Sequence, residues 1–210
     1  MVQGFGPFGG FTVNPSELLV SALAERCEPD VTTEILPVSL KQVAAQVPRL
    51  MDKYRPQVWL GVGLAAGRTA LSVEAVAVNL ADWPESEADH DGVSVTRAPI
   101  AERGPAAHLT TLPAQEILAS WRAGGIPGYL SQTAGSYLCN YSFYAAAQAA
   151  CDLGVPCMVG FLHVPLLPEL VTDPQRQPSM AMALQAAGLD RVIEACRAAS
   201  AGGIYLGRTA

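Results

Sequence analysis

Residues 129 to 164 read YLSQTAGSYLCNYSFYAAAQAACDLGVPCMVGFLHV, and this stretch decides the fold. Tyr129 to Thr133 and Cys157 to Val164 predict short strands, with a helix from about Cys139 to Leu153 between them. A strand, a helix and a second strand read as a parallel crossover, which is right-handed in nearly all folds. Its loops at the strands' C-terminal ends then lie along one sheet edge. Cys139 falls in the turn leaving the first strand, and His163 falls at the end of the second, just before Pro165. The two side chains are therefore expected in one cleft, as a nucleophile and its base require. The unpaired N–H groups and positive end of the helix are expected to stabilise a thiolate at Cys139 and lower its pKa.

Outward from this core, helix and strand signals alternate, which implies an α/β fold. Asn14-Pro15-Ser16-Glu17 is a helix start, with an Asn cap, Pro at the first position and Glu at the third. Val31 to Val38 suits a strand, and Ser39 to about Tyr54 suits a helix bent or split at Pro48. Gln57 to Leu64 and Leu71 to Leu80 read as buried strands. The acidic, proline-bearing and aperiodic residues from about Ala81 to Gly104 predict a long surface loop. Pro113 to Arg122 is a helix stopped by Gly124-Gly125, and Met180 to Ala199 is the last helix. His90 and His108 read as surface-loop or helix-start residues. No repeat or linker composition interrupts the chain, so residues 1–210 are expected to form one α/β/α domain around a twisted, mostly parallel sheet.

Glu74 is out of place in the otherwise apolar run from Leu71 to Val78. An unpaired carboxylate buried there would cost several kcal/mol, so it calls for a partner. A histidine that needs orienting is such a partner. Taken singly, Cys139 reads as packing, His163 as a satisfied core residue and Glu74 as a strand-edge residue facing water. Their joint placement favours a triad.

Composition narrows the function classes. The 210 residues carry 13 basic and 19 acidic side chains, a net charge of −6, and only two lysines, Lys41 and Lys53. With no basic stripe, a nucleic-acid partner is not expected. No apolar run approaches the roughly eighteen residues of a membrane span, and the start lacks a secretion signal, so neither membrane nor export is expected. Five cysteines without CxxC pairing fit free thiols in a reducing cytoplasm rather than a structural zinc, and no metal is expected. Gly4-Phe5-Gly6-Pro7-Phe8-Gly9 matches the dinucleotide fingerprint only in letters. Three preceding residues hardly make the required strand, Asp30 precedes the next strand rather than ending it, and Pro7 and Phe8 would obstruct a pyrophosphate.

Four segments carry a resemblance. They are Gly4 to Gly10 with Val13-Asn14-Pro15-Ser16, Leu71 to Asn79, Ala134-Gly135-Ser136-Tyr137-Leu138-Cys139-Asn140, and Gly160-Phe161-Leu162-His163-Val164-Pro165. In that order the chain resembles the pyroglutamyl peptidase I family, also called pyrrolidone-carboxylate peptidases. The resemblance implies a cytosolic cysteine peptidase without a cofactor, often a homotetramer, that releases pyroglutamate from peptide N-termini through a thioacyl intermediate. It implies Cys139 as nucleophile, His163 as base and Glu74 as its orienting group. Phe5 and Phe8 would flank the lactam ring, backbone near Leu64 and Tyr137-Leu138 would meet its polar atoms, and Asn14 would fix the loop as well as cap a helix.

Three departures stand out. Ala75 follows the glutamate where the family has a basic residue, and Asp82 is followed by Trp83-Pro84-Glu85 where it carries an arginine. Unless Arg68 or Arg97 folds in, the site lacks that cation, and a catalytically weak lactam- or peptide-binding homologue is the alternative reading. Only Met1-Val2-Gln3 precede the glycine loop, so the first strand is expected to be unusually short, as a mis-set start codon would leave it.

Overall fold

The computed structural model describes residues 1–173 and 175–202. Helix starts follow the caps written into the sequence. Asn14 Oδ1 accepts from Ser16 N at 3.0 Å, and α1 (Pro15–Glu25) begins at the proline, after the first strand β1 (Val2–Phe5). After β2 (Thr33–Leu36), Ser39 Oγ accepts from Gln42 N and opens α2 (Leu40–Tyr54). α2 runs through Pro48 as one helix rather than two. Pro48 lies on its exposed face, where water can serve the carbonyl that the ring leaves without a donor, while Val43, Val47, Leu50 and Met51 bury the opposite face.

The chain continues through β3 (Val58–Leu64), β4 (Leu71–Glu74), β5 (Val76–Val78), β6 (Ala81–Trp83), β7 (Val95–Ala98) and β8 (Ala107–Leu109). Helix α3 (Ala114–Ala123), β9 (Gly128–Ser131), α4 (Leu138–Asp152), β10 (Met158–Val164) and α5 (Met182–Ala201) complete the order. The central sheet has the strand order β2-β1-β3-β10-β4-β9. All neighbours are parallel except β10 and β4, which run antiparallel. The sheet is thus mixed but mostly parallel, as expected.

Side chains alternate across it and build a core on each face. Trp59, Val159 and Phe161 pack with Val43 and Val47 of α2 and Phe143 and Tyr144 of α4. Leu60, Val62, Leu162 and Val164 pack with Leu19 and Leu23 of α1, Ile117 and Trp121 of α3, and Leu189 and Val192 of α5. Among the described residues, no helix is long and apolar enough to cross a membrane.

Three expectations are corrected. First, β9 and β10 are not a parallel pair: β4 lies between them, parallel to β9 and antiparallel to β10, so β9 and β10 run in opposite directions. The Cys139–His163 proximity therefore does not come from a crossover edge. Second, Leu71 to Leu80 is not one strand. β4 ends at Glu74, because its ladder to β10 spans only Ser72 and Val73, and Ala75 O accepts from Thr110 N at 2.8 Å. β5 then pairs with β8 in a separate two-stranded sheet, which also makes His108 a strand residue.

Third, Ala81 to Gly104 is not a plain surface loop. β6 and β7 pair antiparallel, and Trp83 is buried with Nε1 donating to Val93 O at 3.0 Å. Buried Asp89 accepts from Leu40 N, Asp91 N and Val93 N, which pins the hairpin tip to the start of α2. Three- and four-residue strands are too short to show a period.

Candidate active site

Cys139 is the second residue of α4, whose first turn has no side-chain cap. Neighbouring residues fix that turn. Asn140 is fully buried, accepts from Val78 N at 2.9 Å, and donates to Val78 O at 2.9 Å and Leu80 O at 3.0 Å. Ser136 Oγ donates to Asp82 O at 2.6 Å, and Gly135 turns the segment at φ +79°, a backbone that favours glycine. Sequence reading gave Asn140 no role. A side-chain amide bonded to Val78 of β5 and to Leu80 just beyond it is a tertiary fact.

His163 projects from β10 on the face that meets α4. Two glycines of β3 make the room. A Cβ on Gly63 would stand 2.8 Å from Cys139 Sγ, and one on Gly61 would stand 2.3 Å from Phe161. Gly63 and His163 are register partners, so the thiol packs on the sheet at the imidazole's own level. The Gly61-Val62-Gly63 spacing was the available sequence clue to this recess.

Glu74, at the end of β4, is fully buried, and its Oε1 accepts from His163 Nδ1 at 2.7 Å. An ionised carboxylate only accepts, so Nδ1 carries the proton and Nε2 is left free to take one. Arg68 also reaches Glu74 Oε1, donates to Ser72 Oγ, and donates through Nη2 to Thr133 O at 2.9 Å. Among the described residues, Glu74 Oε2 has no hydrogen-bond partner.

Burial holds the His163 imidazole below its usual pKa, against the upward pull of Glu74. Burial likewise pushes the Cys139 thiol up to about 12, Glu74 adds to this, and Arg68 and a backbone hydrogen bond pull the other way. The expected thiolate is therefore corrected. Desolvation and Glu74 outweigh Arg68 and the backbone hydrogen bond, so the thiol stands above its ordinary value rather than below it.

Cys139 and His163 line one cavity of about 200 Å³. Phe5, Phe8, Asn14, Leu64, Tyr137 and Leu138, the residues singled out in the sequence for the pocket, all line it too. Val38, Ala134 and Glu87 complete the wall and had been assigned nothing. Tyr137 packs tilted against Phe8, ring centres 5.0 Å apart, and meets Trp83 edge-on at 4.8 Å, so aromatic rings line this side of the cavity. Asn14 serves both of its weighed roles, capping α1 and donating to Gly6 O at 2.7 Å in the glycine loop.

Of the two candidate cations, Arg68 folds in, but onto Glu74 rather than the cavity wall. Arg97 stays exposed, with its backbone N–H on Asp82. A larger groove of about 580 Å³ between Met1, Tyr54 and Arg197 holds none of the three candidate catalytic groups. Among the described residues no cluster of His, Cys, Asp and Glu could hold a metal ion.

A half-buried thiol that shares an apolar cavity with a carboxylate-backed imidazole, in an α/β fold, defines the class of the cysteine hydrolases. The comparisons narrow the class. The family model for pyroglutamyl peptidase matches residues 1–199. The pyrrolidone-carboxylate peptidase of Pyrococcus furiosus is 34% identical over 200 residues, covering 92% of this chain and 95% of the relative. Pyrrolidone-carboxylate peptidase 1 of Ralstonia nicotianae is 37% identical over 196 residues, covering 92% and 90%. The X-ray structure of the P. furiosus pyrrolidone carboxyl peptidase superposes with a TM-score of 0.87 at 33% identity, covering 94% of this chain and 97% of that one. The chain belongs to the pyroglutamyl peptidase family.

Proposed function

We propose that this chain removes N-terminal pyroglutamate from peptides as a cysteine peptidase, with Cys139 as nucleophile, His163 as general base and acid, and Glu74 as the group that orients His163. The observation that carries this reading is that Cys139 and His163 share an apolar cavity while Glu74 holds His163 Nδ1 from behind at 2.7 Å. Because the thiol rests neutral, the sulfur becomes nucleophilic as its proton moves to His163 Nε2. The sulfur then bonds to the carbonyl carbon joining pyroglutamate to the next residue. The C–N bond breaks, and the imidazolium returns the proton to the departing amine. Water, deprotonated by the same imidazole, then bonds to the thioacyl carbon, the C–S bond breaks, and the imidazolium returns the proton to the departing sulfur.

Phe5 and Phe8 supply apolar surface for the lactam faces, and backbone at Leu64 and at Tyr137-Leu138 supplies donors and acceptors for its N–H and ring carbonyl. The Cys139 N–H, at the start of α4, is the oxyanion donor of this reading. The same reading treats residues 1–210 as one catalytic domain and the protein as a cytoplasmic homotetramer. Five free cysteines suit a reducing compartment.

One observation favours the weaker, lactam-binding alternative: among the described residues no lysine or arginine lines the cavity. Pyroglutamyl, prolyl, glutaminyl and alanyl derivatives of aminomethylcoumarin separate the readings. The pyroglutamyl derivative should be cleaved with multiple turnovers. The prolyl derivative, which lacks the ring carbonyl and leaves buried donors unpaired, should be cut about 100-fold less efficiently. Equal rates on these two, or no turnover of either, would remove the proposed activity.

A further inference from the structure

We infer that Arg68 is a positioning residue of this site, a single guanidinium that locks the carboxylate behind His163 to the loop that delivers Cys139. The inference rests on the Cys139, His163 and Glu74 reading and goes beyond it. Neutralising a buried glutamate needs one cation at one point. Arg68 instead engages three acceptors on two stretches of chain. Nη1 donates to Ser72 Oγ and Glu74 Oε1 in β4, and Nη2 donates at 2.9 Å to Thr133 O, in the segment between β9 and α4.

The acceptors are not loosely held. Ser72 and Glu74 are fully buried, Thr133 O also accepts from Ser131 Oγ at 3.1 Å, and the Arg68 side chain is itself only 19% exposed. Its outer face covers Tyr129, with the guanidinium carbon 5.9 Å from the ring centre. A planar fork can span the carboxylate and the carbonyl together. An ammonium, a single point charge on a flexible stem, cannot hold both in one plane.

Two separable consequences follow, one from charge and one from shape. The charged and titratable groups around the imidazole are Glu74 from β4, Arg68 from the connection of β3 to β4, Cys139 and Tyr137 at the start of α4, and Glu87 at the cavity wall. Among the described residues, Arg68 is the one cation of this group. It disfavours the protonated form of both His163 and Cys139, so removing its charge moves both titrations upward. Removing its shape while keeping its charge frees the Thr133 end of the nucleophile loop.

The test is the pH dependence of kcat and kcat/KM on pyroglutamyl aminomethylcoumarin for Arg68→Met and Arg68→Lys, with Cys139→Ala as the inactive control. Arg68→Met should raise the acid limb of kcat/KM by about 0.5–1 pH unit and lower kcat at the optimum by roughly 10–100-fold. KM should stay within about threefold, because Arg68 does not line the cavity. Arg68→Lys should keep the acid limb near its original position and still lose about tenfold in kcat. An unmoved acid limb together with unchanged kcat in Arg68→Met would overturn the assignment. So would a rise in KM at constant kcat, which would make Arg68 a substrate contact.

If Arg68→Met does not fold, Arg68→Gln, which keeps an amide donor for Thr133 O, repeats the charge test. Failure of both neutral variants to fold would assign Arg68 to stability and end the proposal. A wild-type protein that leaves the substrate intact, or an active Cys139→Ala, would take down the underlying reading and this proposal with it. That result is seen before any Arg68 variant is assayed.

Discussion

Replacing Glu74 by glutamine removes one charge and almost no volume from a position that is fully buried and does not line the cavity. In the mechanism proposed above, the imidazolium formed as Cys139 loses its proton would have a carboxylate oxygen 2.7 Å from Nδ1. A hydrogen bond to a charged group contributes about 1.5–3 kcal/mol, against about 1 kcal/mol for a neutral pair, so the amide forfeits about 1 kcal/mol there. The Coulomb attraction of such a pair is about 4 kcal/mol at 4 Å for an effective dielectric constant of 20. That attraction vanishes, and Arg68 is left facing the imidazolium without its counter-charge. Since Arg68 already shares Oε1 in the wild type, part of the attraction was screened, and a net loss of about 3–4 kcal/mol is expected.

At about 1.36 kcal/mol per decade, kcat should fall by about 10²–10³-fold, with KM nearly unchanged. Steady-state cleavage of pyroglutamyl aminomethylcoumarin measures both, and a thermal melt checks the fold. Activity within about threefold of wild type in a folded Glu74→Gln would refute the reasoning. The nearby polar side chains offer no ready substitute. Asn79 Oδ1 accepts from Ile100 N and Ala101 N, and Asp82 Oδ1 accepts from Arg97 N.

Alkylation should sort the five thiols by exposure first and by function second. Cys27 and Cys151 are exposed and should react early with iodoacetamide without loss of activity, while inactivation should track Cys139 in a peptide map. Inactivation that followed Cys27 or Cys151 would displace Cys139 as nucleophile.

Stability should fall on both sides of neutrality. The depressed His163 keeps its proton off in the folded state, so below its ordinary value of 6.5 the unfolded chain binds the proton and stability is lost as pH falls. Cys139, Cys157 and Cys196, each pushed from 9.0 to about 12 by burial, stay protonated when folded, so above pH 9 the unfolded chain ionises and stability is lost as pH rises. Each group contributes a slope of at most about 1.36 kcal/mol per pH unit. Urea unfolding midpoints should show it, with the alkaline slope shallower by one group in Cys196→Ala. An identical slope in that variant would contradict the burial argument.

The sequence by itself determined what depends on neighbours along the chain. Asn14 and Ser39 cap helices through atoms two and three residues away, Gly124 ends α3, and the seven-residue strand β3 is long enough to show as a buried run. The four motifs also marked Cys139, His163, Glu74 and the pocket residues, and the fold gathers all of them about one cavity and the carboxylate behind it. Tertiary structure decided what depends on which segments meet. Strand direction is such a property: residues 129–164 read as a parallel crossover, yet β4 inserts between β9 and β10 and reverses the relation, because pairing is chosen across the whole sheet. The break after Glu74 and the hairpin around Trp83 belong to the same kind, since their partners lie far along the chain or in strands too short to have a period. The Cys139 thiol shows the energetic side. A helix start is visible in sequence and favours thiolate, but the desolvation that raises the thiol comes from packing over Gly63 beside Phe161, which exists only once the sheet is assembled. Arg68 lies six residues before Glu74 and could have been any surface arginine of a loop. Only the fold turns it inward, where its guanidinium meets the carboxylate buried at the end of β4.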